Sequence, residues 1–331
     1  MNPLGSAASD DEWRAERALR ALASVVGAAP SYAMLAGPVL MPMHLAIDSL
    51  PFAVASEGAP PAFFLKLISD DGIDRFDHPA TVDASRKAAA LGLAPQFLAD
   101  DPANGALLYE LLAAPDWRMA LRPDLDDQTV RAAMLAAKRN WHASGLLART
   151  RSPFETIALH REALRRLRAD RAGSGPGWVA PQGFHTLVDW VERVEQAFNA
   201  AGTDLAPTHG EPATSNLMLG PRGAVKLVDF DRAVNADPHY DLAGSCIESC
   251  SFDTEVAEMV QLYLGKRDAA ITARVQLYMV VDDFLWGCWA LVAHYRTRRN
   301  SIEFYKYARN RFVRCAFWLA RWDIAALLRR I

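Results

Sequence analysis

The chain has 331 residues, 51% of them hydrophobic and 23% charged, with a net charge of −3 at pH 7. That length and apolar content suit a globular protein large enough for two lobes, and the slightly acidic balance gives no electrostatic footprint for nucleic acid. The opening residues, MNPLGSAASDDEW, are polar and acidic, which argues against a secretory signal, and no apolar run reads as long enough to span a bilayer. The expectation is a cytoplasmic protein with no membrane partner.

In chain order, Asp10 or Asp11 can cap a helix through Trp13, Leu19, Leu22 and Val25 to Gly27. Short strands are predicted over 31–37 and 38–47, then over 52–56 and 62–68 around a Glu-Gly-Ala-Pro turn. Lys66 alternates out of the second of these apolar strands, where a lysine ordinarily marks the solvent face. Residues 83–91 have helical periodicity and run into Gly92-Leu93-Ala94-Pro95. Residues 105–112 read as a buried strand.

From Leu125 onward the pattern is strongly helical. Asp126 or Asp127 caps a helix with Val130, Met134, Ala137 and Trp141 on one face, and His142 near its end reads as a core histidine. Further helices are predicted over 153–167 and 184–200, joined by a loop over 171–181; the arginines of the first make a solvated face. Four cysteines in so long a chain do not form a disulfide framework, and Cys246 and Cys250, lacking a second pair at ligand spacing, read as core residues.

Residues 209–241, HGEPATSNLMLGPRGAVKLVDFDRAVNADPHYD, carry the chemistry. Two short apolar runs flank Gly220-Pro221-Arg222-Gly223, a hairpin signal. The hairpin would bring Glu211 and Asn216, on the way in, to the same edge as Asp229 on the way out. Phosphoryl transfer to a hydroxyl uses that set: a carboxylate at the acceptor, an amide oxygen on one metal ion, and a carboxylate on the metals that bridge the phosphates. Either fragment alone would pass for a surface turn or a solvated loop; the tandem is what points to a site.

This stretch resembles the catalytic core of the aminoglycoside phosphotransferase and choline/ethanolamine kinase family, in which His-Gly-Asp or His-Asn-Asp, four residues and Asn precede a hairpin and Asp-Phe-Asp or Asp-Phe-Glu. The resemblance implies an α+β, protein-kinase-like fold. Residues 1–112 would form a small nucleotide-binding lobe with an antiparallel sheet, and residues 113–331 a larger, mainly helical catalytic and substrate-binding lobe. It implies ATP and Mg²⁺ as cofactors: Lys66 on the ATP phosphates, the backbone around Glu110 to Leu112 holding adenine at a hinge, Asn216 and Asp229 on the metal, and Glu211 as the base. Asp241 would tie down the catalytic loop. The chain departs from the family pattern in three places. Glu211 replaces the usual aspartate, and its extra methylene shifts the carboxylate by about an ångström or more. The stretch MLAGPVLMPMHLAIDSL has no glycine-rich pattern, and no glutamate between Glu57 and Glu110 can pair with Lys66, Asp83 being the nearest substitute.

The C-terminal region is similar to that of choline and ethanolamine kinases: Trp-Gly-x-Trp at 286–289, Ser-Ile-Glu-Phe at 301–304, then Tyr307 and Arg311-Phe312. The resemblance implies that Trp286, Trp289 and Tyr307 line a pocket for a cationic head group, as aromatic faces can through their quadrupoles. Asp282, Asp283, Glu248 and Asp253 are all candidates for a carboxylate beside it. The sequence thus points to transfer of the ATP γ-phosphate to a hydroxyl of a small, cationic, amino-alcohol-like molecule. The rival readings are an aminoglycoside phosphotransferase and a catalytically impaired pseudokinase that binds a ligand.

Overall fold

The computed structural model describes residues 1–36, 39–40, 44–45, 49–69, 76–170, 181–297 and 302–331. Most of the 37–48 segment, where a short strand was expected over 38–47, lies outside the described residues, as do the loop expected at 171–181 (apart from Pro181) and Ser301 of the C-terminal motif.

After strand β1 (Asn2–Pro3), helices α1 (Asp10–Ala21) and α2 (Ala23–Val26) form one apolar stripe, with Ala15, Ala18, Leu19, Leu22 and Val26 buried. The cap of α1 is Ser9, which accepts from the Glu12 N–H; the expected Asp10 and Asp11 fall inside the first turn, where their charge meets the positive end of the helix dipole. Gly27, at φ 90°, ends α2 as expected. Strands β2 (Ser31–Met34), β3 (Val39–Leu40), β4 (His44–Leu45), β5 (Ser49–Ala55) and β6 (Phe63–Ile68) follow. Helix α3 (His78–Ala90) starts earlier than the periodicity indicated, because Asp77 caps it and Pro79 fits its first turn. Strand β7 (Phe97–Asp101) was not anticipated; β8 (Ala106–Glu110) was.

Next come β9 (Arg118–Met119), α4 (Gln128–His142), α5 (Pro153–Asp170), α6 (Phe184–Ala201), β10 (Ala206–Thr208), β11 (Leu217–Leu219), β12 (Val225–Leu227) and β13 (Val234–Ala236). The chain closes with α7 (Pro238–Ser249), α8 (Asp253–Leu264), α9 (Ala269–Arg296), α10 (Phe304–Arg321) and α11 (Ile324–Leu328).

These elements group into two compact units, residues 1–137 with 214–233, and residues 138–213 with 234–331. In the first, six of the described strands form an antiparallel sheet in the order β1-β2-β5-β6-β8-β7, packed on the α1/α2 stripe around Tyr32, Phe52, Leu65 and Leu108. The β11–β12 hairpin belongs to this unit too, because β11 pairs with β9 and the Leu227 N–H donates to the Leu93 carbonyl. The grouping therefore follows strand pairing.

The second unit is helical and centred on α9, against which α5, α6, α7, α8, α10 and α11 all pack. By length and composition α9 meets the test for a membrane span, which the sequence reading had not found, yet all of its most apolar window is buried inside the protein. A helix apolar on every side is what a core helix requires. Gly287 makes the close contact with α10: a Cβ there would stand 2.5 Å from the Phe312 ring.

Candidate active site

In the first unit, Lys66 sits in mid-strand on β6, opposite Pro51 of β5 and Leu107 of β8. Its side chain is enclosed, and its ammonium donates to Asp229 Oδ1 and to Asp231 Oδ2, each at 2.7 Å. Burial works against the charge, but the fields of Asp229 and Asp231 outweigh it and hold the lysine pKa above its ordinary value. Lys66 is thus not a solvent-facing strand residue.

The hairpin delivers the second half of this cluster. Leu217 pairs with Leu227 and Leu219 with Val225, and one step beyond the ladder the Val228 N–H donates to the Asn216 carbonyl at 3.0 Å. Asn216 and Asp229 therefore flank its open end, as the spacing predicted. The turn is packed on Trp117: a Cβ at Gly220 would lie 2.6 Å from that indole, so only glycine fits. Asp229 itself has φ 69°, a left-handed backbone for a residue with a side chain. Such conformations persist where surroundings over-determine them, commonly at functional sites.

At the expected adenine site, the Glu110 N–H donates to the Gln96 carbonyl and the Leu111 N–H to the Ala62 carbonyl. The Glu110 carboxylate accepts from the Gln96 N–H and lies 3.7 Å from Lys226. Leu112 is half-buried after the end of β8. A base bound here would not be read by the N–H groups of Glu110 and Leu111, which are already engaged.

In the second unit, the loop carrying Glu211 is held on both sides of that residue. The Asp241 carboxylate accepts from the backbone N–H of His209 at 2.6 Å and of Gly210 at 2.9 Å. Asp241 is buried, with His142 Nε2 at 3.1 Å and Lys138 Nζ at 3.7 Å. Burial opposes its ionisation, but Lys138 and His142 prevail and keep its pKa well below the usual carboxylate range. His142 in turn meets the Tyr263 hydroxyl at 2.7 Å, so it is a satisfied interior histidine. On the other side of Glu211, Pro212 packs on Gly244 of α7, where a Cβ would come within 2.5 Å of the proline ring. Glu211 itself is half-buried.

The aromatic residues also come together. Trp286 and Trp289 meet edge to face with ring centroids 5.3 Å apart, and Trp289 lies 6.2 Å from Tyr307 and 5.7 Å from Phe304. The Tyr307 hydroxyl is engaged by Arg311, which donates to it at 3.0 and 2.8 Å. Among the carboxylates considered for a substrate cation, Asp283 is already held by Arg311, Arg314 and the Trp318 N–H. Asp253 pairs with Arg321 near the surface. Asp282 is buried, one helical turn before Trp286 and two before Trp289, and accepts from the Tyr240 hydroxyl at 2.8 Å. Its burial, opposed by Arg311 and reinforced by Asp283, pushes its pKa up to about 6.

The sequence reading missed the part played by Asp231. Its signal was present in Asp229-Phe230-Asp231, since alternate residues leaving a strand can face the same way. The expected substitute, Asp83, faces solvent on α3 and makes no part of this cluster.

The donor set suits a magnesium ion, which takes oxygen ligands and is commonly bound by one or two carboxylates together with substrate phosphates. Asn216 and Asp229 supply an amide and a carboxylate at one hairpin end. Among the described residues no group of three or more His, Cys, Asp and Glu side chains could hold a metal by itself, so water and phosphate oxygens would complete the shell.

Comparison with known proteins gives a consistent result. A model of the phosphotransferase enzyme family matches residues 79–278, well over half of the chain. No curated protein matches the sequence. Among solved structures, a choline/ethanolamine kinase family protein from Mesorhizobium loti is similar over 97% of this chain and 98% of its own, with a TM-score of 0.76 at 22% identity. The choline kinase LicA from Streptococcus pneumoniae is similar over 92% and 98%, at 0.70 and 16%. A GDP complex of aminoglycoside 2'-phosphotransferase-IIIa (F108L mutant) is similar over 93% and 97%, at 0.60 and 14%.

Proposed function

The chain belongs to the phosphotransferase enzyme family, and we propose that within it this protein transfers the γ-phosphate of ATP to a hydroxyl of a small cationic molecule of the amino-alcohol class. The observation that carries the reading is the pairing of Lys66 with Asp229 across 163 positions of sequence, at the open end of a hairpin that also holds Asn216. A strand lysine, an aspartate with left-handed backbone and an asparagine whose backbone carbonyl is tied to Val228 suit the phosphate and metal end of a kinase site.

In this reading Lys66 holds the ATP phosphates, while Asn216 and Asp229 are the protein ligands of Mg²⁺. When bound, the ion would offset the charge that develops between the phosphates. Glu211 orients the acceptor hydroxyl and takes its proton, on a loop fixed by Asp241 before it and Gly244 after it. Residues 1–112 act as the nucleotide lobe, with adenine near Glu110 and Leu112, and residues 113–331 as the catalytic and acceptor lobe. Trp286, Trp289 and Tyr307 supply the aromatic surface for the cation, and Asp282 the nearby buried carboxylate.

The test begins with thermal unfolding with and without ATP and Mg²⁺, because a ligand that binds only the folded state raises the midpoint. A metal-dependent rise followed by phosphorylation of amino alcohols in a panel with sugars and aminoglycosides supports the assignment. Turnover of aminoglycosides alone would move the acceptor to that class, which the similarity to an aminoglycoside phosphotransferase keeps in view. A rise without any turnover would favour a binding protein in which Glu211 does not support transfer. Asp229→Ala is expected to lower turnover by about a thousandfold or more, in line with the loss of a preorganised charge-stabilising group, while the midpoint without ligand stays near that of the parent. Near-parental turnover in this variant would sink the metal assignment.

A further inference from the structure

Every buried ammonium needs a lasting partner, since an unpaired charge in the interior costs several kcal/mol. Lys66 has two carboxylates at 2.7 Å, and they are not equivalent: the Asp229 side chain is 34% exposed, that of Asp231 only 14%. Asp229 is also the residue expected to turn towards a metal ion on the phosphates. Once it does, Lys66 must be held from elsewhere or lose its aim.

Helix α3 does not supply that hold. Its buried residues are Thr81, Val82, Ala84, Ser85, Ala88 and Ala89, and its single carboxylate, Asp83, is exposed. On its buried face Ser85 bonds at 3.1 Å to the Tyr109 hydroxyl, and Tyr109 lies in the field of Lys66.

We propose that Asp231 is the positioning residue for Lys66, so that the lysine's permanent partner comes from the hairpin arm, two residues past the metal-binding aspartate, and not from a helix. This rests on the ATP reading of the site. Lysine and metal ligand are then set by one short segment: Asp229 moves between the ammonium and the metal, and Asp231 stays with the ammonium. Asp231 thus sets where the ATP phosphates are gripped without itself touching the metal.

A double-mutant cycle on the whole 331-residue chain tests this, with Lys66→Ala, Asp231→Asn and the pair combined, read both as the midpoint rise given by ATP with Mg²⁺ and as kcat and KM for ATP. If Asp231 acts through Lys66, Asp231→Asn raises KM for ATP about tenfold with an unchanged Mg²⁺ requirement, and the combined variant matches Lys66→Ala within about twofold. Asp231→Glu, which keeps the charge, retains most of the ATP-induced rise and serves if the asparagine variant does not fold. Losses that multiply in the combined variant overturn the proposal. So does recovery of Asp231→Asn by excess Mg²⁺, which would make Asp231 a metal ligand. A parent protein whose midpoint does not respond to ATP and Mg²⁺ removes the nucleotide reading and this proposal with it, whereas a responsive parent with an additive cycle removes this proposal alone.

Discussion

Asp282 shows how far one residue's surroundings can be turned into a measurement. Its folded-state pKa of about 6 lies above the roughly 3.9 of an unfolded aspartate. Between those values the folded protein binds the proton and the unfolded chain does not, so stability falls as pH rises from about 4 to 6 and stays lower above it. Asp282→Asn should abolish that slope and raise stability at pH 8 by about 3 kcal/mol, since the two pKa values differ by about two units and one unit corresponds to about 1.4 kcal/mol. Denaturant titrations at pH 4, 6 and 8 check it; a variant less stable than the parent at pH 8 would mean that the charged form is needed by Arg311. The same residue illustrates what the sequence withholds. Asp282 and Asp283 are neighbours with identical side chains, but a helix turns them about 100° apart, and only packing determines that Asp283 meets Arg311, Arg314 and Trp318.

At the scale of elements, the hairpin was fully legible because its cues are local: two apolar runs and a Gly-Pro-Arg-Gly turn fix the register that sets Asn216 against Val228. Helix α9 could not be delimited from the sequence, because a helix buried on all sides lacks the one-sided pattern that marks an amphipathic one. Strand β7 left still less trace, since Phe97-Leu98-Ala99-Asp100-Asp101 has no clean alternation and is held by pairing with β8. The fit of Pro212 on Gly244 was invisible for the same reason, being a contact across more than thirty residues. Gly244→Ala should cost about 1–3 kcal/mol as an overpacked contact. Because the residue it displaces adjoins Glu211, kcat should fall more than KM for ATP changes. A fall in stability with full kcat would show that the loop tolerates the shift.

For the molecule as a whole, the family and the α+β fold could be read because some thirty residues resemble a family's catalytic core, where phosphoryl transfer restricts which side chains can stand at which spacing. The partner of Lys66 could not, since the family resemblance implies one on a helix that here offers only an exposed Asp83. Helix α9 has a consequence for how the chain is made. It leaves the ribosome before α10, and at about 5–20 residues per second this 28-residue apolar segment waits for seconds until α10, the cover of one of its faces, is synthesised. During that interval it has the length and hydropathy of a membrane anchor and nothing to pack its Phe312-facing side. A nascent chain stalled or truncated after residue 297 should therefore aggregate or be captured by chaperones, while one extended through residue 321 should be released soluble. Pelleting assays on such a truncation series in a cell-free system would locate where in synthesis the protein becomes safe.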